Sequence, residues 1–134
     1  MNALKTNAVL QNGKYRIEGV LGQGGFGITY LASQVALNRK VTIKEFFMKE
    51  LCNRDEQTSQ VSVPSMGSVD TVARFRAKFV KEAQTIAALN NPHIIHIHDI
   101  FEENGTAYYV MDYLSGGSLS DLVQRNGVLA IALH

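Results

Sequence analysis

The sequence feature that most constrains the fold is a glycine-rich stretch at residues 21–30, LGQGGFGITY. Its glycines Gly22, Gly24 and Gly27 have the spacing G-x-G-x-x-G. Because glycine has no Cβ atom, backbone N–H groups in such a loop can approach a bulky anion. The same spacing occurs in dinucleotide-binding turns that open a helix, and in turns that bind nothing. Here the β-branched and aromatic residues 28–30 follow, so the stretch predicts a strand–glycine–strand hairpin.

A lysine at the end of an apolar strand is the second constraint. Residues 41–44 (VTIK) alternate so that Thr42 and Lys44 share one face of a predicted strand. Desolvating a lysine is costly unless an opposite charge meets it. The predicted helix 70–89 offers Glu82, which completes an apolar stripe formed by Phe75, Phe79, Ile86 and Leu89. The pattern therefore predicts that Lys44 and Glu82 face each other, as an ion pair that also holds phosphate oxygens.

The remaining patterns predict a small antiparallel α+β domain. Further strands are expected at about residues 15–21, 28–33, 95–102 and 106–111, and an Asn-Gly turn joins the last two. Together with the lysine strand they make a five-stranded antiparallel sheet with one long helix. Three stretches are less clearly assigned by their sequence patterns. Residues 1–12 are predicted to be a loosely held leader, residues 45–51 to continue the lysine strand and then turn into a short helix, and residues 53–68 to be either an ordered insertion or a mobile loop.

Composition excludes several classes of function. The chain has 134 residues and a net charge of +1, so bulk electrostatics do not indicate binding to nucleic acid or to a membrane surface. It contains no apolar run long enough to span a bilayer, and one cysteine, Cys52, fits a reducing, cytoplasmic compartment. His96 and His98 are alternate residues of a predicted strand and no acidic or thiol ligand completes a set with them, so no metal site is predicted.

Two further motifs make the chain resemble a known family. Residues 109–119 (YVMDYLSGGSL) are similar to the last strand, hinge and next helix of protein kinases, and residues 91–95 (NPHII) to the turn after their glutamate-bearing helix. With the glycine loop and Lys44, the chain resembles the N-terminal lobe of a bacterial, eukaryotic-like serine/threonine kinase over about residues 13–130. After the leader predicted at 1–12, the resemblance implies the N-lobe at 13–114 and the beginning of the C-lobe at 115–134.

The resemblance also implies ATP and Mg²⁺ as cofactors, and a role for individual residues. Covering the β- and γ-phosphates would fall to the glycine loop, that is Gly22, Gln23, Gly24, Gly25, Phe26 and Gly27. Lys44 would hold the α- and β-phosphates and pair with Glu82. The adenine pocket would be lined by Leu21, Thr29, Thr42 and Met111. The backbone of Asp112 and Leu114 would bond the adenine edge, and Ser118 would lie near the ribose.

Two departures from the family pattern leave alternatives open. The family usually has Val at the position of Thr29 and Ala at that of Thr42, and Thr42 adds bulk and a hydroxyl against adenine. Moreover, no His-Arg-Asp, Asp-Phe-Gly or Ala-Pro-Glu motif follows Leu114. The chain is therefore expected to be a truncated lobe that cannot transfer phosphate alone. Its parent would be an active kinase acting on a protein substrate, or alternatively a pseudokinase or a non-catalytic interaction lobe.

The apolar residues near the C-terminus predict one more property. Residues 118–134 contain several large aliphatic side chains, which in a whole kinase would pack against the helical lobe. A contiguous apolar patch seldom stays exposed on a soluble monomer. This segment therefore predicts self-association of the chain.

Overall fold

Six strands pair into one antiparallel sheet in the computed structural model, which describes residues 2–89 and 96–113. In chain order the strands are β1 (Val9–Leu10), β2 (Tyr15–Gln23), β3 (Gly27–Gln34), β4 (Arg39–Phe46), β5 (Asn53–Arg54), β6 (Val61–Ser62), β7 (Ile97–Glu103) and β8 (Thr106–Asp112). The sheet has the order β1-β2-β3-β4-β8-β7, and β5 pairs only with β6. One long helix, α1 (Val69–Ala87), and two 3₁₀ helices, Val35–Leu37 and Met66–Ser68, complete the described elements.

The α+β class and the long helix are confirmed, but the expected loosely held leader is wrong. Strand β1 lies within the predicted leader, and Val9 and Leu10 pair with Arg16 and Tyr15. The side chains of Leu4 and Leu10 are buried in the core. These apolar residues have a face of the sheet to pack against, which is why the segment is ordered and the sheet has six strands rather than five.

Alternation along β4 divides the sheet into two covered faces. Lys44 and Phe46 point to the face that carries α1, where Phe79 of the helix packs against Phe46 and Tyr109 at ring-centroid distances of 5.7 and 5.0 Å. Glu45 points to the opposite face. That second face is covered by the N-terminal segment and by the chain around the β5–β6 hairpin, both of which contribute to the core. The sheet is thus the middle layer of three.

The stretch 53–68 is an ordered insertion rather than a mobile loop. It contains the β5–β6 hairpin, and the backbone N–H of Val61 donates to the carbonyl of Asn104 at 2.7 Å, in the turn between β7 and β8. The carboxylate of Asp55 accepts hydrogen bonds from two backbone N–H groups of the hairpin loop. The segment is held by side-chain hydrogen bonds and by contact with the sheet, so it is ordered although its sequence has no helical or strand period.

A buried ion pair fastens this hairpin to the sheet. Glu45 is 0% exposed and Arg54 is 5% exposed, and their side chains meet at 2.5 Å. The hydroxyls of Tyr30 and Tyr108 both donate to the Glu45 carboxylate. Arg54 in turn donates through Nε to the carbonyl of Asn2 at 2.7 Å. Strand β4, the hairpin and the N-terminal segment are therefore joined by one polar cluster.

Helix α1 lies within one or two residues of its predicted bounds, but its inward face is rotated from the predicted stripe. Val72, Ala83 and Ile86 are buried. Phe75 and Leu89, the two ends of the predicted stripe, are exposed. The stripe members are four, three, four and three residues apart and so stay on one side of the helix, but the buried Val72 and Ala83 lie beside that stripe, and the face that meets the sheet is centred between them and Ile86. None of the helices in the described ranges could span a membrane.

We predict that Arg54→Ala destabilises the fold strongly. Removing one partner of a buried pair leaves the other charge uncompensated, so the free energy of unfolding should fall by about 3–5 kcal/mol. The control is Arg39→Ala, which removes an exposed arginine of β4 and should change stability by no more than about 0.5 kcal/mol. Urea unfolding of both variants measures the difference, and similar losses in the two would contradict the prediction.

Candidate functional site

The glycine-rich stretch forms the predicted hairpin. Strands β2 and β3 pair so that Gly22 lies opposite Thr29 and Gln23 opposite Ile28. The turn between them is closed by a backbone hydrogen bond of 2.9 Å from Gly24 to the carbonyl of Gly27. No helix follows the glycines, which distinguishes the loop from a dinucleotide-binding turn.

A cavity of about 400 Å³ lies between this loop and the lysine strand. It is lined by Gly22, Gln23, Gly24, Gly25, Phe26, Gly27, Thr29 and Lys44. A Cβ atom added at Gly22, Gly24 or Gly25 would meet no atom within 4 Å. The backbone of the loop is therefore open to a ligand, and a cationic side chain forms part of the same wall. These residues fit the triphosphate of ATP.

Gly27 differs from the other glycines because it is packed closely. A Cβ atom at this position would lie 2.9 Å from the carbonyl oxygen of Glu45 and 3.1 Å from Cε of Lys44. Only a residue without a side chain leaves room for the lysine stem and the β4 backbone at this distance. Gly27 thus allows Lys44 to reach the cavity beside the loop.

Lys44 and Glu82 interact electrostatically, as their positions in the sequence predict. Lys44 is only 3% exposed, and burial lowers the pKa of its ammonium group to about 8, while the negative charge of Glu82 acts in the opposite direction. Burial raises the pKa of Tyr109, which lies opposite Lys44 in β8, and the charge of Glu82 raises it further. Glu82 is half-buried on α1. Its role in holding phosphate together with Lys44 remains a prediction.

The residues expected around adenine are placed in two groups. Thr42 and Met111 are buried and lie opposite each other in β4 and β8, whereas Leu21 at the end of β2 is exposed. Within the described ranges the buried hydroxyl of Thr42 has no hydrogen-bond partner. A buried hydroxyl left without a partner is costly, and a polar group of a ligand or a water molecule would satisfy it. Leu114 and Ser118 lie outside the described residues, as does the segment 118–134.

Sequence reasoning missed how the glycine loop is held. The backbone N–H groups of Phe47 and Lys49 donate to the carbonyls of Phe26 and Gly25 at 2.9 and 3.1 Å. Strand β4 continues to Phe46 as expected, but the short helix expected after it is reduced to a single turn closed on the carbonyl of Met48, because the N–H groups of Phe47 and Lys49 bind the loop instead. The aromatic composition of 45–51 indicates burial, but it does not identify the loop as the partner.

The histidines near the end of the sheet have a structural partner. His98 Nε2 lies 2.5 Å from a carboxylate oxygen of Asp112, and the backbone N–H of His96 donates to the other oxygen at 3.2 Å. These contacts hold the end of β8, where the hinge is expected. Among residues 2–89 and 96–113 no group of three or more metal-ligating side chains is brought together.

We predict that the glycines of the loop differ sharply in tolerance to alanine. Gly27→Ala forces its Cβ against backbone, and overpacking of this kind costs about 1–3 kcal/mol of unfolding free energy. Gly24→Ala is the matched control, since its Cβ would enter open space. Thermal and urea unfolding of both variants test the difference, and equal stability would show that the close approach at Gly27 is relieved without cost.

A second prediction concerns the pH dependence of stability. The pKa of Lys44 is about 8 in the folded chain and near 10.5 when unperturbed, so the unfolded state binds more protons between these values. Stability contributed by this group therefore rises with pH from about 8 to 10. Lys44→Met should abolish that rise. Urea midpoints measured at several pH values for both proteins test this, and parallel profiles would contradict it.

Known proteins share this sequence and fold. The family model described as "Protein kinase domain" matches residues 15–132. The serine/threonine-protein kinase PrkC of Bacillus subtilis (strain 168) is 32% identical over 118 residues, which are 88% of this chain and 15% of PrkC. PknE of Mycobacterium tuberculosis (strain ATCC 25618 / H37Rv), a serine/threonine-protein kinase, is 31% identical over 120 residues, 90% of this chain and 18% of PknE.

Among solved structures, "PpkA-294 apo form" superposes with a TM-score of 0.82 at 28% identity and covers 94% of this chain and 44% of its own. The chain spans less than a fifth of the length of PrkC and PknE. The residues that the family model matches include the glycine loop, Lys44 and Glu82. The sequence, the sheet and the family match agree, and the chain belongs to the protein kinase domain family.

Proposed function

We propose that residues 13–114 are the ATP-binding lobe of a serine/threonine protein kinase. One observation carries this proposal: the glycine loop and the buried Lys44 line a single cavity of about 400 Å³, and the charge of Glu82 acts on that lysine. An open backbone loop beside a buried cation suits the binding of a polyphosphate. A hairpin with a purely structural role would need neither feature. Relatives named as serine/threonine-protein kinases support the choice of protein hydroxyls as substrate.

Each part of the site would contribute a separate interaction with the nucleotide. Bound ATP supplies the phosphoryl group that the parent kinase transfers. Backbone N–H groups of residues 23–27, apart from that of Gly24, which closes the turn, would contact the β- and γ-phosphates, and Lys44 would neutralise charge on the α- and β-phosphates while Glu82 orients it. Thr42 and Met111 would line the base, and the backbone of Asp112 would bond its edge.

The 134-residue chain by itself is proposed to bind nucleotide without transferring phosphate. Phosphoryl transfer depends on positioning and on charge neutralisation by several segments acting together. Residues 115–134 contain none of the His-Arg-Asp, Asp-Phe-Gly and Ala-Pro-Glu motifs that supply the base, the Mg²⁺ ligands and the substrate platform. These groups, and Mg²⁺ with them, are assigned to the remainder of the parent. ATP and the single free cysteine fit a cytoplasmic location.

A pseudokinase or regulatory lobe is the second candidate, and Thr42 favours it. The family usually has alanine here, and the larger Thr42 is buried, with no hydrogen-bond partner for its hydroxyl in the described part of the chain. The added bulk of threonine at this position would weaken the binding of adenine by crowding the ring. Its hydroxyl would act in the opposite direction if it bonded a polar atom of the base. Self-association through residues 118–134 also remains a prediction, which light scattering at several protein concentrations tests.

We predict weak but specific ATP binding by the isolated chain. A lobe without Mg²⁺ ligands should bind ATP with a Kd in the high micromolar range or weaker. This corresponds to a binding free energy of no more than about 5–6 kcal/mol. Lys44→Met should reduce the advantage of ATP over adenosine, because adenosine carries no phosphate for the lysine to hold. Titration calorimetry or NMR with ATP, Mg²⁺ and adenosine measures this. A nanomolar Kd, or no preference of the wild type for ATP, would contradict the site.

The parent protein separates the two candidate functions. In an active kinase, Lys44→Met should abolish transfer of the γ-phosphoryl group from ATP to a protein substrate, and full activity of this variant would refute the role of Lys44. A parent that binds ATP and transfers nothing in the wild-type form would instead be a pseudokinase.

A further inference from the structure

The tip of the glycine loop touches helix α1 through one pair of aromatic rings. Phe26 of the loop and Phe75 of the helix have ring centroids 5.4 Å apart and planes inclined by 35°. Aromatic rings at this separation and tilt attract each other. Phe26 is 45% exposed and Phe75 is 38% exposed, so the pair lies at the surface and outside the core. Its effect should therefore be on the position of the two elements that it joins.

The other side of the loop is attached to the chain that continues from β4. Phe47 donates to the carbonyl of Phe26, and Lys49 donates to the carbonyl of Gly25. Main-chain bonds thus hold one side of the loop tip, while the ring contact with Phe75 holds it to the helix. The helix contact is the one that can be removed without changing the backbone.

Helix α1 meets two parts of the cavity wall. Phe75 and Glu82 are seven residues apart, about two helical turns, and lie on similar faces of the helix. Phe75 contacts the loop tip, and the charge of Glu82 acts on Lys44. A displacement of the helix would consequently change the loop and the lysine together.

We propose that Phe75 is a positioning residue that holds the glycine loop against helix α1 through Phe26. The position of the helix then sets the position of the loop over the phosphate cavity, in addition to the approach of Glu82 to Lys44. The mechanical part of this proposal depends only on the contacts described above. Its consequence for nucleotide rests on the proposed function.

Amide hydrogen exchange of the 134-residue chain tests the mechanical part. The reporters are the N–H of Lys49, which donates to the loop, and the N–H of Gly24, which closes the turn. Phe75→Ala should accelerate exchange at both by about two- to tenfold, since this is the factor that corresponds to the loss of one aromatic contact. Phe75→Tyr keeps the ring and should restore the wild-type rates.

Val69→Ala is the matched control, because Val69 is an apolar residue of α1 that is similarly exposed. It should leave both reporters unchanged. Unchanged rates at Lys49 and Gly24 in Phe75→Ala would overturn the proposal. Acceleration of the same size in Val69→Ala, or throughout α1, would also overturn it, because it would indicate general loosening of the helix.

Nucleotide binding tests the consequence. A loosened loop must be ordered again when phosphate binds, so Phe75→Ala should weaken ATP–Mg²⁺ by about two- to tenfold and adenosine by less than about twofold. Equal weakening of both ligands would refute a role in positioning the loop on phosphate. If the wild type binds neither ligand, the proposed function fails, while the exchange result still decides whether Phe75 holds the loop.

Discussion

Two opposite charges stand side by side in strand β4 and are buried on opposite faces of the sheet. Lys44 and Glu45 are both removed from water. Because their side chains lie on opposite faces of the sheet, each needs its own partner of opposite charge. Helix α1 brings Glu82 to the face of Lys44, and the inserted hairpin brings Arg54 to the face of Glu45. Burying a charge is tolerable only when a partner meets it, so both covering layers are needed for this strand to lie at the centre of the fold.

The same strand connects the structural cluster to the candidate site. The carboxylate of Glu45 is held by two tyrosine hydroxyls and by Arg54, while its carbonyl oxygen lies against Gly27. The glycine loop is therefore packed on a strand that buried polar contacts hold in place. Phosphate binding requires this kind of support, because a loop must keep its N–H groups aimed at the anion without reorganising.

The surroundings of Lys44 suit its proposed role in holding an anion. Burial disfavours its charged form and brings its pKa down to about 8, and Glu82 opposes this shift. At neutral pH the group is still mainly protonated, so it presents a cation in a weakly screened place where a phosphate would interact strongly. Thr42 lies on the same face of β4, and among residues 2–89 and 96–113 no group bonds its buried hydroxyl, which a ligand could therefore satisfy.

Local patterns in the sequence were enough to determine five strands of the main sheet, the hairpin at the glycines, the long helix and the positions from which the charge of Glu82 acts on Lys44. These features depend on periods of two or about 3.6 residues and on turn chemistry, which are written into neighbouring residues. Only the tertiary structure decided that Leu4 and Leu10 cover the sheet. It also decided that Arg54 pairs with Glu45 and that Phe75 contacts Phe26 outside the core. Those contacts join residues far apart in the chain, and their partners follow no local period. Each of these partners covers a charge, a ring or an apolar face that the sheet alone leaves exposed to water.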